Sequence, residues 1–209
     1  DDLLKMLADV MTAEKVSGTF FVIGERLRCL RERGRRDVLE AIGRHDIGSH
    51  TNMGSIHPTV TERMEHADWA DGLARMAADE LAGIDEMEAI LGKPILSLAR
   101  HGGSYGPQLL AALGRRGLPY VYSPARLPGR HVTWFGGTLN FFECMTCFQE
   151  AYLSREAFLQ TERKFFEMLD ACKGYDWAAV FHSHPCMIKT REFWDLNYYR
   201  GANPPPGAW

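Results

Sequence analysis

A chain of 209 residues, 45% hydrophobic and 24% charged, has the size and balance of one globular domain with a substantial core. A formal net charge of -3 argues against a nucleic-acid polyanion as the main partner, and no apolar run approaches the roughly 18 to 20 residues of a membrane helix. The five cysteines (Cys29, Cys144, Cys147, Cys172 and Cys186) are an odd number without framework spacing, which favours packed thiols and a cytoplasmic location over a disulfide scaffold.

In chain order, Leu3, Leu4, Leu7 and Val10 form one stripe, so residues 3–15 are expected to be helical after Asp2 as cap. Residues 19–23 are a continuous apolar run closed by Gly24, the pattern of a buried parallel strand. A short helix is expected over 37–44, then a strand over 46–49 that runs into a histidine-bearing loop. Residues 61–91 carry Leu73, Met76, Leu81, Ile84, Met87 and Leu91 near a helical period, stopped by Gly92-Lys93-Pro94.

A strand over 95–99, a helix over 107–116 with Pro at its first turn and a strand over 120–122 follow. Residues 124–150, rich in Gly and aromatics, are expected to be an irregular excursion on the substrate side. Ser154 should cap a helix to about Cys172, and 177–182 should be a strand. The tail from about residue 190, with Asn203-Pro204-Pro205-Pro206-Gly207, cannot be regular. Strand and helix alternate throughout, which predicts parallel strands joined by right-handed crossovers in one domain spanning 1–209.

The polar clusters follow the C-terminal ends of the expected strands, which share one face in a (β/α) barrel. Gly48-Ser49-His50-Thr51-Asn52-Met53-Gly54-Ser55-Ile56-His57-Pro58 places two imidazoles on one loop, a ready site for a borderline divalent ion such as Zn²⁺. Arg100-His101-Gly102-Gly103-Ser104-Tyr105-Gly106 and His182-Ser183-His184-Pro185 follow later strands. His182 and His184 alternate at strand spacing, which would turn both to one side. His101 reads as a neighbour of the site, and His66 and His131 carry no signal.

These segments resemble the polysaccharide deacetylase family, carbohydrate esterases built on a distorted (β/α)7 barrel. Thr19-Phe20-Phe21-Val22-Ile23-Gly24 looks like its second strand, and His45 through His57-Pro58 like its metal-ligand motif. Arg100 to Gly106 looks like its arginine motif, and His182 to Pro185 like its late histidine motif. Leu91-Gly92-Lys93-Pro94 also fits, and the resemblance covers about residues 5–190. Six residues separate His50 from His57 where the family usually has three, and His50 with His45 is an alternative pair. The family's Asp-Asp pair, source of the catalytic base and third ligand, is not matched by Asp1-Asp2. Strand one is therefore expected upstream of residue 1.

The resemblance implies a metal-dependent hydrolase, Zn being the expected ion, that removes N- or O-linked acetyl groups from a carbohydrate. It implies His50 and His57 as metal ligands and Arg100 as the residue that orients the base. The backbone of Tyr105 would face the oxyanion. His184, beside His182, would be the general acid, a role that suits an imidazole pKa near 6.5. A C–N amide hydrolase on a small cyclic substrate and a non-catalytic carbohydrate-binding relative are the alternatives, and the oligomeric state is left open.

Overall fold

The computed structural model describes residues 2–102, 106–123, 132–142, 145–173 and 180–189. Short apolar runs bounded by Gly and polar residues become strands that lie beside one another because helices cross between them. Helix α1 (Asp2–Ala13) precedes strand β1 (Thr19–Val22). Helices α2 (Gly24–Glu32) and α3 (Arg36–Gly43) lead to β2 (Asp46–Ser49), which pairs parallel to β1 in the register Thr19 to Asp46 through Val22 to Ser49. Strands β3 (Ser97–Ala99) and β4 (Tyr120–Ser123) extend the parallel sheet, with helix α7 (Pro107–Arg116) between them.

The expected single helix over residues 61–91 is instead four pieces. These are α4 (Val60–Met64), α5 (Trp69–Met76), a π-helical turn (Ala77–Leu81) and α6 (Ala82–Leu91). The break has local causes. His66 takes a left-handed φ of 61°, and Asp68 restarts the helix by accepting the Asp71 N–H at 2.8 Å. Thr59 and Glu62 form a reciprocal capping box at the start of α4.

The expectation of an irregular excursion over 124–150 also needs correcting. Strands β5 (Val132–Phe135) and β6 (Thr138–Phe142) form an antiparallel hairpin there, and β6 pairs parallel to β4, giving a six-stranded order β1-β2-β3-β4-β6-β5. The hairpin turns on Gly136 and Gly137, with φ of 64° and 80°, the two positive values that a type I′ turn requires. A second parallel pair joins β7 (Met145–Cys147) to β8 (Val180–His182), with helix α8 (Arg155–Cys172) between them. Ser154 caps α8 by accepting the Ala157 N–H at 3.1 Å.

Phe20, Val22, Ile47, Leu98 and Val121 fill the sheet side of the core. Leu27, Val38, Ile42, Met76, Ile84, Met87, Leu109 and Leu113 fill the helix side. Each such side chain contributes about 1.5–3 kcal/mol by leaving water. The α/β class with parallel strands and crossover helices is therefore as expected, and a helix, not a strand, occupies residues 2–13. The Pro-rich tail and residues 177–179 lie outside the described residues. Among the described residues, no helix is long and apolar enough to cross a membrane.

Candidate functional site

The parallel arrangement brings the C-terminal ends of β1, β2 and β3 together. At the end of β2 the backbone N–H of His50 bonds the Val22 carbonyl of β1 at 2.9 Å, and its ring Nδ1–H donates to the Ala99 carbonyl of β3 at 2.9 Å. Gly48 permits this close approach. A Cβ there would meet the Phe21 ring at 2.3 Å and Ser97 Oγ at 2.6 Å. After His50 the chain turns through Thr51, a buried residue with φ of 67°, whose hydroxyl accepts the Gly54 N–H at 3.1 Å. A non-glycine residue in that region carries local strain and needs firm surroundings.

Burial first, then the neighbouring His101 and His184 imidazoles, holds the His50 pKa down from 6.5 to about 4, so the ring is neutral at pH 7. A neutral imidazole whose Nδ1–H is fixed by a carbonyl has Nε2 available as a donor, the arrangement common around metal-binding histidines.

His57 is held differently. Its Nδ1–H faces both oxygens of Glu62, at 2.7 and 2.8 Å. Glu62 also accepts the Thr59 N–H at 2.7 Å, and that bond, followed by His57, keeps its carboxyl below the usual range. One glutamate therefore caps α4 and orients the second loop histidine.

The alternative partner His45 is elsewhere. Its Nε2 lies 3.0 Å from Thr12 Oγ1 and 3.0 Å from the Ala8 carbonyl, under α1 at the opposite end of β2. Five residues of extended chain separate it from His50 by roughly 16 Å. The pair His50 and His45 cannot share an ion.

His101, read from sequence as a neighbour, packs its ring against His50 with centroids 4.8 Å apart and contacts Ser55 Oγ at 3.3 Å. Arg100, partly buried at the end of β3, is fixed through its backbone N–H to the Tyr122 carbonyl at 3.4 Å.

His182 ends β8, and His184 stands two residues on with extended backbone, just before the 3-10 turn Pro185–Ile188. Their rings meet, at 5.6 Å and nearly perpendicular. Tyr105 lies outside the described residues.

The donor chemistry fits a divalent ion at His50, and His57 carries the carboxylate partner that a ligand imidazole commonly has. Among the described residues, no three His, Cys, Asp or Glu side chains stand together as a metal group. The imidazole that stands against His50 is His101, with ring centroids 4.8 Å apart, while His57 is turned to Glu62.

No family model and no curated protein matches the chain. Among solved structures, PuuE allantoinase is similar with a TM-score of 0.56 and 16% identity, over 86% of this chain and 57% of that one. A CE4 family pseudoenzyme from Bacillus anthracis matches at 0.48 and 11% identity, over 90% of this chain and 61% of that one. The Xyl-CE4 domain of a multidomain xylanase from the hindgut metagenome of Trinervitermes trinervoides matches at 0.44 and 9% identity, over 91% and 85%. The chain thus spans 57% of the allantoinase length, and at 16% identity the likeness establishes a shared fold.

Proposed function

We propose that the chain is a metal-dependent hydrolase that removes N- or O-linked acetyl groups from a carbohydrate. The observation that carries this reading is His50, a neutral imidazole at the mouth of a parallel sheet with Nδ1 tied to Ala99. Zn²⁺ is the ion that suits nitrogen donors of this kind. His50 and His57 would hold it. His101 is an alternative second donor, favoured by a ring centroid 4.8 Å from that of His50. The chemistry a divalent ion would supply there is carbonyl polarisation and activation of water near neutral pH.

The chain's own side chains divide the remaining work. Glu62 holds the proton on His57 Nδ1 and so fixes which nitrogen faces outward. His184, whose charge bears on His50, would donate a proton to the leaving amine or alkoxide, and His182 packs against it. Arg100 would orient a carboxylate base, and the backbone N–H of Tyr105 would meet the developing oxyanion. A second reading, a C–N hydrolase acting on a small cyclic amide, is supported by the fold shared with an allantoinase.

The test combines binding with turnover. Calorimetric titration with Zn²⁺ should show one site that His50→Ala abolishes and His57→Ala or His101→Ala weakens. Acetate release from an acetylated amino-sugar oligomer should stop on chelation. Zinc binding that is unchanged in His50→Ala overturns the metal reading. Hydrolysis of a cyclic amide without acetate release selects the second reading.

A further inference from the structure

Asn52 lies two residues beyond His50 and five before His57, and helices from two other parts of the chain take up its polar groups. Its backbone N–H donates to Glu80 Oε2 at 2.8 Å. Its Nδ2 donates to the Asp79 carbonyl at 3.1 Å and to Asp79 Oδ1 at 2.9 Å. Its Oδ1 accepts from Arg28 Nη1 at 2.9 Å, and its carbonyl accepts the Glu25 N–H at 2.8 Å. The neighbouring Thr51 carbonyl accepts the Gly24 N–H at 3.1 Å. Arg28 also reaches Glu86 at 3.1 Å and Met53 Sδ at 3.3 Å, and Arg63 pairs with Asp79.

The seat is shaped to this one side chain. A Cβ on Gly83 would come within 2.5 Å of Asn52 Cγ, and one on Gly24 within 2.8 Å of Asn52 Oδ1. Glu80, only 2% exposed, sits in the π-helical turn, whose extra residue interrupts the regular helix between α5 and α6. Burying a carboxylate is costly without a partner, and the partner here is the histidine loop. The acid is thus placed against the loop that carries both candidate ligands.

We propose that Asn52, gripped by Glu80, Asp79 and Arg28, is a positioning residue that sets where His50 and His57 stand, so that the π-helical turn controls divalent-ion affinity. The inference rests on the metal reading given above. It extends the site from the two imidazoles to a buried acid 30 residues from His50 in sequence.

The test is Zn²⁺ affinity of the full chain by calorimetry, beside the urea stability of each variant. Asn52→Ala should weaken Zn²⁺ binding about 10- to 100-fold, the usual effect of removing a residue that orients ligands. Glu80→Ala should do the same. Glu80→Gln, which keeps an acceptor oxygen for the Asn52 N–H, should restore affinity to within about threefold of wild type.

Leu113→Ala opens the core away from the loop and should lower stability without changing affinity. Arg28→Met serves as the milder variant should Asn52→Ala not fold, and a loss of affinity is expected there too. His50→Ala with unchanged Zn²⁺ affinity sinks the metal reading and this inference with it. A His50→Ala loss with no loss in Asn52→Ala, or in Arg28→Met, sinks this inference alone. Equal weakening by Leu113→Ala would assign the effect to general stability and overturn it.

Discussion

Glu80→Gln tests the physics of the buried acid independently of any ligand. Burial is the main reason that the Glu80 pKa rises from 4.5 to about 7; Asp79 pushes the same way, while the Asn52 N–H and Arg63 pull it down. The folded protein therefore keeps a proton that the unfolded chain releases near 4.5. Between those values the folded state binds more protons, so stability is full at low pH, falls as pH rises through the window and levels above about 7. Integrated from pH 5 to pH 8, this single group removes about 2.5 kcal/mol. Glutamine has nothing to ionise, so that slope should vanish in the variant. Above pH 7 the variant should also gain about 1–2 kcal/mol, once about 1 kcal/mol is deducted for the weaker bond to Asn52. Urea denaturation of both proteins at pH 5 and pH 8 measures the difference, because carboxylates remote from Glu80 titrate alike in the two and cancel. The same pH dependence in wild type and Glu80→Gln would refute the argument.

Further outcomes follow from other parts of the fold. In metal-free protein the His50 ring should stay neutral down to about pH 4, so its destabilising effect appears only as pH falls from 6.5 toward 4. An NMR titration midpoint near 6.5 would contradict its burial. Gly48→Ala forces a Cβ to within 2.3 Å of the Phe21 ring and should cost about 1–3 kcal/mol in urea, with weakened Zn²⁺ binding; wild-type stability would show that the strands separate freely. His184→Ala should lower acetate release about 10²–10⁴-fold while leaving Zn²⁺ affinity within a few-fold, and an unchanged rate would remove His184 from proton transfer.

Much of the scaffold was legible because its signals are local. The apolar run at residues 19–23 and the short run at 46–49 read as strands, where β1 and β2 stand, and Pro107, Ser154 and Gly92 mark helix ends through their own backbone preferences. Helix α2 was missed because arginines occupy most of its turns and only Leu27 and Leu30 mark its buried face. The break in residues 61–91 and the β5–β6 hairpin left traces that were legible in principle. Asp68 stands three residues before the N–H it caps, and Gly136-Gly137 sits between two strand-forming runs.

The site divides along the same line. That His50 and His57 share a loop is written in the chain, and so is the capping box that gives His57 its carboxylate. That His101 packs against His50, that His45 lies at the far end of its strand, and that Glu80 reaches Asn52 were decided by the parallel register and by helices returning over the sheet. Short windows of sequence encode periodicity and capping. Which side chains meet depends on where each crossover helix places the end of its strand, because a strand runs straight while its neighbours in space come from distant parts of the chain.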